Sequence, residues 1–117
     1  MALKLEQGHI VAIEVLDPEN RNPKVRPVVI VSPTDEIGFD APFWGVAITG
    51  TLPRLLPKEY VPIPYHRAGH PRMGLKKRCA AKCDWFVEIH NDQVVRSIGR
   101  VPVAVLSSII QQVDALK

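Results

Sequence analysis

The chain has 117 residues, 46% hydrophobic and 23% charged, with a formal net charge of +3. That length supports one domain with its own core, expected to span 1–117, and that charge permits an anionic partner without demanding one. No apolar run approaches a membrane span, Met1-Ala2-Leu3-Lys4 leads into charged residues rather than a secretory signal, and two cysteines are too few for a disulfide scaffold, so a cytoplasmic protein with no membrane partner is expected.

Residues 9–16 are rich in Val and Ile and predict a strand. Pro18, Asn20, Asn22 and Pro23 make 17–25 a loop. Residues 26–32 predict a second strand, whose Val28-Val29-Ile30-Val31 run suits burial on both faces. A loop over 33–42 leads to a third strand over 43–50. Residues 59–64 contain Pro62 and Pro64, which remove ladder donors, so a short edge strand is expected there. After a loop over 65–75, residues 78–89 predict the longest strand, and Asn91-Asp92 turns it into a short strand at 94–97. Pro102 suits the first turn of a helix. Val103, Leu106, Ile110 and Val113 then form one apolar stripe. Many short strands and one terminal helix predict a mainly β (α+β) fold, a small barrel with a C-terminal α-helix.

The chemistry concentrates late in the chain. On a strand, Lys82 and Asp84 share a face with Cα atoms about 6.5–7 Å apart. An acid and a base so placed can divide the proton transfers of a phosphodiester cleavage. Cys83, Trp85, Val87 and Ile89 occupy the other face and read as core, while Trp44 reads as partly exposed. The block Arg67, Arg72, Lys76, Lys77, Arg78 and Lys82 carries no acidic residue, which suits phosphate binding. Taken alone, the ion pair also fits a solvated strand face and the block a solvated loop. His66, His70, Cys79 and Cys83 superficially resemble a zinc set. On a strand the two cysteines would be about 13 Å apart, too far to share an ion, although a loop or helix there would remove that objection. No metal or other cofactor is expected.

Six words, in order, give the chain a resemblance to the MazF/PemK/Kid family of toxins. They are Gly8-His9-Ile10-Val11, Leu16-Asp17-Pro18, Arg26-Pro27-Val28-Val29-Ile30-Val31-Ser32, Val46-Ala47-Ile48-Thr49, Lys82-Cys83-Asp84 and Ile98-Gly99-Arg100-Val101-Pro102. The resemblance covers about residues 5–115. It implies an SH3-like or CcdB-like barrel and a homodimer. It also implies sequence-selective, metal-independent cleavage of single-stranded RNA, neutralisation by a small acidic-tailed antitoxin, and operator DNA binding by the toxin–antitoxin complex.

The same resemblance assigns the catalytic residues Arg26, Thr49, Lys82 and Asp84. Asp84 would take the proton from a ribose 2′-hydroxyl, whose oxygen attacks the adjacent phosphorus, leaving a 2′,3′-cyclic phosphate and a 5′-hydroxyl. Lys82 or Arg26 would stabilise charge on the phosphate oxygens. Arg21, Lys24, Lys76, Lys77 and Arg78 are the expected RNA-binding residues. The chain departs from the family in two places. Lys82 stands where Arg is common, and the loop before Arg26 is two residues shorter, with no match to the family's loop acid or His. Two alternatives keep the fold but change the function. One is a catalytically inactive module that binds nucleic acid or protein. The other is a CcdB-like gyrase poison, disfavoured because the chain ends Asp114-Ala115-Leu116-Lys117 rather than Trp-Gly-Ile.

Overall fold

Two faces of one curved sheet are buried, and the strand sequences show why. The computed structural model describes residues 4–38, 41–65, 75 and 77–116. Six strands, β1 (His9–Val15), β2 (Lys24–Ile30), β3 (Phe43–Thr49), β4 (Tyr60–Ile63), β5 (Cys79–Ile89) and β6 (Val94–Arg100), precede one helix, α1 (Val103–Ala115). All pairings are antiparallel, in the order β4-β5-β3-β2-β1-β6. Successive strand residues point to opposite faces, so an apolar run fills two cores. Ile10, Val29, Val46 and Ile48 face one cluster, which includes Ile109 and Val113 of α1. Val11, Val28, Ile30, Phe43 and Ala47 face the other. A Val, Ile or Phe fully buried this way contributes about 1.5–3 kcal/mol.

The sheet does not close. β4 and β6 are its two free edges, and no ladder joins them. The barrel expected from sequence is thus an open, strongly curved sheet, still mainly β with one C-terminal helix. Helix α1 follows β6 directly, yet packs against β4 and β5 near the opposite edge. It spans with side chains what the backbone leaves open. β4 is an edge strand, as its prolines required, and Pro62 sits opposite Ala80.

Several boundaries differ from expectation. β2 starts two residues early, at Lys24, and ends at Ile30, because Val25 and Lys24 continue the ladder opposite Glu14 and Val15. β6 runs on to Arg100, because Gly99 and Arg100 pair with Ile10 and His9. The 33–42 loop holds a short 3₁₀ turn at Thr34–Glu36. Pro102 is the N-cap of α1 rather than a first-turn residue. The apolar stripe of α1 holds at Leu106, Ile110 and Val113 but not at its first position. Val103, assigned to the apolar stripe, is 80% exposed, whereas Ile109 is fully buried with Val113. Val103 opens the helix before it reaches β4 and β5. No helix among the described residues is long and apolar enough to cross a membrane.

The loop between β1 and β2 is built on Asp17. Its Oδ1 accepts the backbone N–H groups of Glu19 and Arg21 at 3.0 and 2.8 Å, and its Oδ2 accepts the Asn22 side-chain amide at 2.8 Å. Asn20 and Asn22 have φ of 61° and 54°, a conformation asparagine tolerates better than most residues. Eight residues separate the two strands, and the Asp17 carboxylate bonds to three of them.

Gly45 sits at a close approach of β3 to the second core cluster and to the β2 backbone. A Cβ there would lie 2.5 Å from Val28 Cγ1, 2.7 Å from the Val29 carbonyl oxygen and 2.9 Å from Ile89 Cδ1. The carbonyl belongs to the paired strand and cannot step aside. Gly45→Ala is therefore expected to destabilise the fold by about 1–3 kcal/mol, the cost of overpacking a filled core. Urea unfolding measures it, and an unchanged midpoint would contradict the close approach.

Candidate functional site

The ladder between β3 and β5 is interrupted at the Lys82-Cys83-Asp84-Trp85 word. Val46 pairs with Phe86 and Ile48 with Ala81, so the single residue Ala47 lies opposite four residues of β5. Such an irregularity bends a strand and re-aims its side chains. The bulged segment stays anchored on the β4 side, where Tyr60 pairs with Lys82 and the Cys83 N–H donates to the Glu59 carbonyl at 2.8 Å. Cys83 and Ile89 are fully buried and Val87 is buried, but Trp85 is only half-buried. The sequence assigned Trp85 to the core; the ring packs against the second core cluster and also borders a cleft.

That cleft has a volume of about 830 Å³. Both edges of the open sheet reach it, Tyr60 from β4 and Arg96 and Ile98 from β6. β2 contributes Lys24 and Arg26, the end of β3 contributes Ile48 and Thr49, and Lys77, Arg78, Lys82 and Trp85 come from β5 and its approach. Among the described residues, six cationic side chains line the cleft with two carboxylates, those of Asp17 and Glu19. Asp17 is committed to its loop. The Arg21 backbone N–H and the Asn22 amide hold its carboxyl below the usual carboxylate range, which makes it a poor proton acceptor. The described lining of the cleft is therefore predominantly positive.

Of the four expected catalytic residues, three line this cleft. Arg26 donates through Nη1 to the Val15 carbonyl at 2.6 Å, and its guanidinium carbon lies 5.3 Å from the centre of the Trp85 ring. Thr49 Oγ1 accepts the Thr51 N–H at 3.1 Å, closing the turn after β3, and its own hydroxyl proton is left to donate. Lys82 Nζ lies 3.2 Å from Asp84 Oδ1 and 5.9 Å from the centre of the Tyr60 ring. Asp84 itself lines a neighbouring groove, with Glu14, Leu16, Phe86 and Glu88. Trp85, Asp17 and Pro18 border both spaces. The Lys82–Asp84 pair therefore straddles the wall between them. As a pair on a partly exposed surface, it would contribute at most about 1 kcal/mol to stability.

Among the expected RNA-binding residues, Lys24, Lys77 and Arg78 line the cleft, and Lys76 lies outside the described residues. Arg21 does not line it. Its backbone is drawn into the Asp17 loop and its side chain is exposed. Arg96, Tyr60 and Trp85 were not assigned to the site from sequence. Arg96 sits on β6, which looks remote in the chain and reaches the cleft only because the sheet curls. Among the described residues no three His, Cys, Asp or Glu side chains gather as a metal site. His66 and His70 lie outside the described residues, and Cys79 and Cys83 are free, buried thiols on one strand.

No protein-family model matches the chain, and no curated protein does. Solved structures do. MazF (Form-I) from Deinococcus radiodurans is 17% identical over 97% of this chain and 96% of that one, with a TM-score of 0.74. The MazE–MazF complex (Form-II) of the same organism gives 15% identity, 97% and 96% coverage, and 0.73. An endoribonuclease in complex with its cognate antitoxin, from a mycobacterial species, gives 16%, 95% and 92%, and 0.69. The chain has the MazF fold over nearly its whole length.

Burial pushes the Cys83 thiol up to about 11, with smaller contributions from the Asp84 and Glu59 charges. Cys79 is raised by burial as well. The thiolate is the reactive form, so neither residue is expected to react with a thiol reagent at pH 8 in the folded protein. Both should label in denaturant. Rapid labelling of Cys83 without denaturant would contradict its placement beneath the bulge.

Proposed function

We propose that the chain is an endoribonuclease toxin of the MazF type, cutting single-stranded RNA at a preferred sequence and held inactive by an antitoxin. The observation that carries this reading is the cleft at the seam of the sheet. There six cations and the Thr49 hydroxyl converge beside a Lys82–Asp84 pair. Solved structures that share the fold bear the names MazF and endoribonuclease, and two of those cited are complexes with an antitoxin.

In this reading the RNA backbone follows the cleft, with flanking phosphates against Lys24, Lys77, Arg78 and Arg96. The scissile phosphate lies between Arg26 and Lys82. Arg26 suits a phosphate because its planar fork can bind two oxygens at once. Thr49 donates its hydroxyl to a third. Approach of the phosphate draws Lys82 from Asp84 and leaves the carboxylate an open oxygen. Asp84, whose Oδ1 lies 3.2 Å from Lys82 Nζ across the wall of the cleft, is then reached by the ribose at that wall and takes the proton of its 2′-hydroxyl as O2′ bonds to phosphorus. The P–O5′ bond breaks, and Lys82 protonates the departing oxygen. The products are a 2′,3′-cyclic phosphate and a 5′-hydroxyl. The acid and the base are side chains, so the step as written uses no metal. DNA lacks the attacking hydroxyl and is not cut.

The same cleft supports the partner reading. An acidic antitoxin segment that orders on binding would cover Arg26, Lys77 and Arg78 and compete directly with RNA. Two copies pairing about a two-fold axis would lengthen the positive surface. Operator DNA binding by the toxin–antitoxin complex completes the proposal.

Asp84→Asn keeps the side-chain shape but removes the proton acceptor. It is expected to lower RNA cleavage by about 10²–10⁴-fold while leaving the thermal unfolding midpoint nearly unchanged. Arg26→Lys should also lose activity, because a point charge does not replace the fork, and Lys82→Arg should keep phosphate binding but cut slowly, because a guanidinium holds its proton too tightly to protonate the departing oxygen. Cleavage rates on one RNA containing a single cut site measure all three. Full activity in Asp84→Asn would reduce the pair to a surface salt bridge. RNA binding without cutting by the unaltered protein would favour the inactive binding module.

A further inference from the structure

Arg26 is held in place before any substrate arrives, and the structure shows by what. Its side chain extends from β2, where its backbone pairs with Ile13. One N–H is already given to the Val15 carbonyl at 2.6 Å. The guanidinium then lies against the indole of Trp85, 5.3 Å from the ring centre. An arginine side chain left free would lose several rotatable bonds' worth of entropy on gripping a phosphate. Here the Val15 carbonyl engages one nitrogen while the ring lies beside the guanidinium carbon. The remaining N–H donors stay available in a cleft that both residues line.

Trp85 owes this position to the bulge. On β5 the residues at 83, 87 and 89 are buried, but at 85 the ring escapes full burial, because Lys82 to Trp85 leave the β3 ladder. The indole packs against the second core cluster and also carries the Arg26 guanidinium.

We infer that Trp85 is the positioning residue for Arg26, fixing the plane of its guanidinium so that it meets phosphate as a preformed clamp. This rests on the proposed nuclease reading for its consequence in catalysis, but the contact itself is independent of that reading. A Phe ring offers a smaller face and keeps most of the contact, whereas Leu fills space without attracting a cation.

The test is a double-mutant cycle between Trp85→Leu and Arg26→Lys, with Trp85→Phe as the conservative variant. It is read first as RNA cleavage. It is read in parallel as binding of a DNA oligonucleotide of the same sequence, which cannot react. Trp85→Leu is expected to lower both by roughly tenfold, the size of a partly shielded cation–π contact. Trp85→Phe should recover most of that loss. In the Arg26→Lys background, Trp85→Leu should cost little more, since the group it orients is gone. Equal losses in both backgrounds, or none in either, would overturn the inference. Coupling in binding without any cleavage by the unaltered protein would uphold the positioning role and sink the nuclease reading.

A spectroscopic arm needs no ligand. Trp44 is half-exposed and lies outside the cleft, so Trp44→Phe leaves Trp85 as the sole indole. In that background Arg26→Lys should change the emission of Trp85. Identical spectra would mean that the guanidinium does not rest on the ring, and would overturn the inference regardless of activity.

Discussion

The site depends on one interruption of hydrogen bonding, the four residues of β5 that face only Ala47 on β3. Regular pairing would have kept Lys82 to Trp85 on the β3 ladder, whereas here burial still alternates along the segment but the ladder is lost. Bulging frees the segment from β3 while β4 still holds it through Glu59 and Tyr60. Three consequences follow from that geometry. Lys82 enters the cleft, Trp85 meets Arg26 across the sheet, and Asp84 comes to rest on the far side of the dividing wall. A strand bent this way loses ladder bonds, and the fully buried Cys83 between the two polar residues anchors the bend to the core.

A second constraint is the unclosed seam. A sheet that curls but leaves β4 and β6 unpaired has to shield or use those edges. Here both occur. Helix α1 lays Ile109 and Val113 into the cluster that includes Val61 and Ile63 of β4. Elsewhere along the seam the cleft collects Tyr60 from one edge and Arg96 from the other. The positive surface is therefore assembled from segments that the chain separates widely. Closing the sheet would remove the space in which the cations meet.

Much of this was legible in the sequence. The Val-rich runs located β1, β2 and β3, and proline placed β4 at an edge. Arg26, Thr49 and Lys82 were marked by the six words of the resemblance, and the structure brings them to one cleft. Other features were not legible, for physical reasons. Alternation along β5 could not reveal the bulge, because a bulge is a property of two paired strands rather than one. Trp85 was consequently read as core. Arg21 looked like a phosphate ligand by charge alone, whereas the Asp17 carboxylate sets the loop conformation through backbone bonds that no composition signals. Val103 fitted the apolar period of α1, but which residues of a helix are buried depends on where the helix meets its partners. The separation of Asp84 from the cleft that holds Lys82 is likewise a matter of which side of a wall each side chain reaches.

The central claim is that this cleft binds the RNA backbone and that neighbouring side chains cut it. The most direct measurement is incubation of the purified protein with a long single-stranded RNA in excess chelator, followed by mapping of the cut sites and identification of their ends. The account predicts cuts at a recurring short sequence, each leaving a 2′,3′-cyclic phosphate and a 5′-hydroxyl. Intact RNA, or cuts that leave a 5′-phosphate, would contradict it.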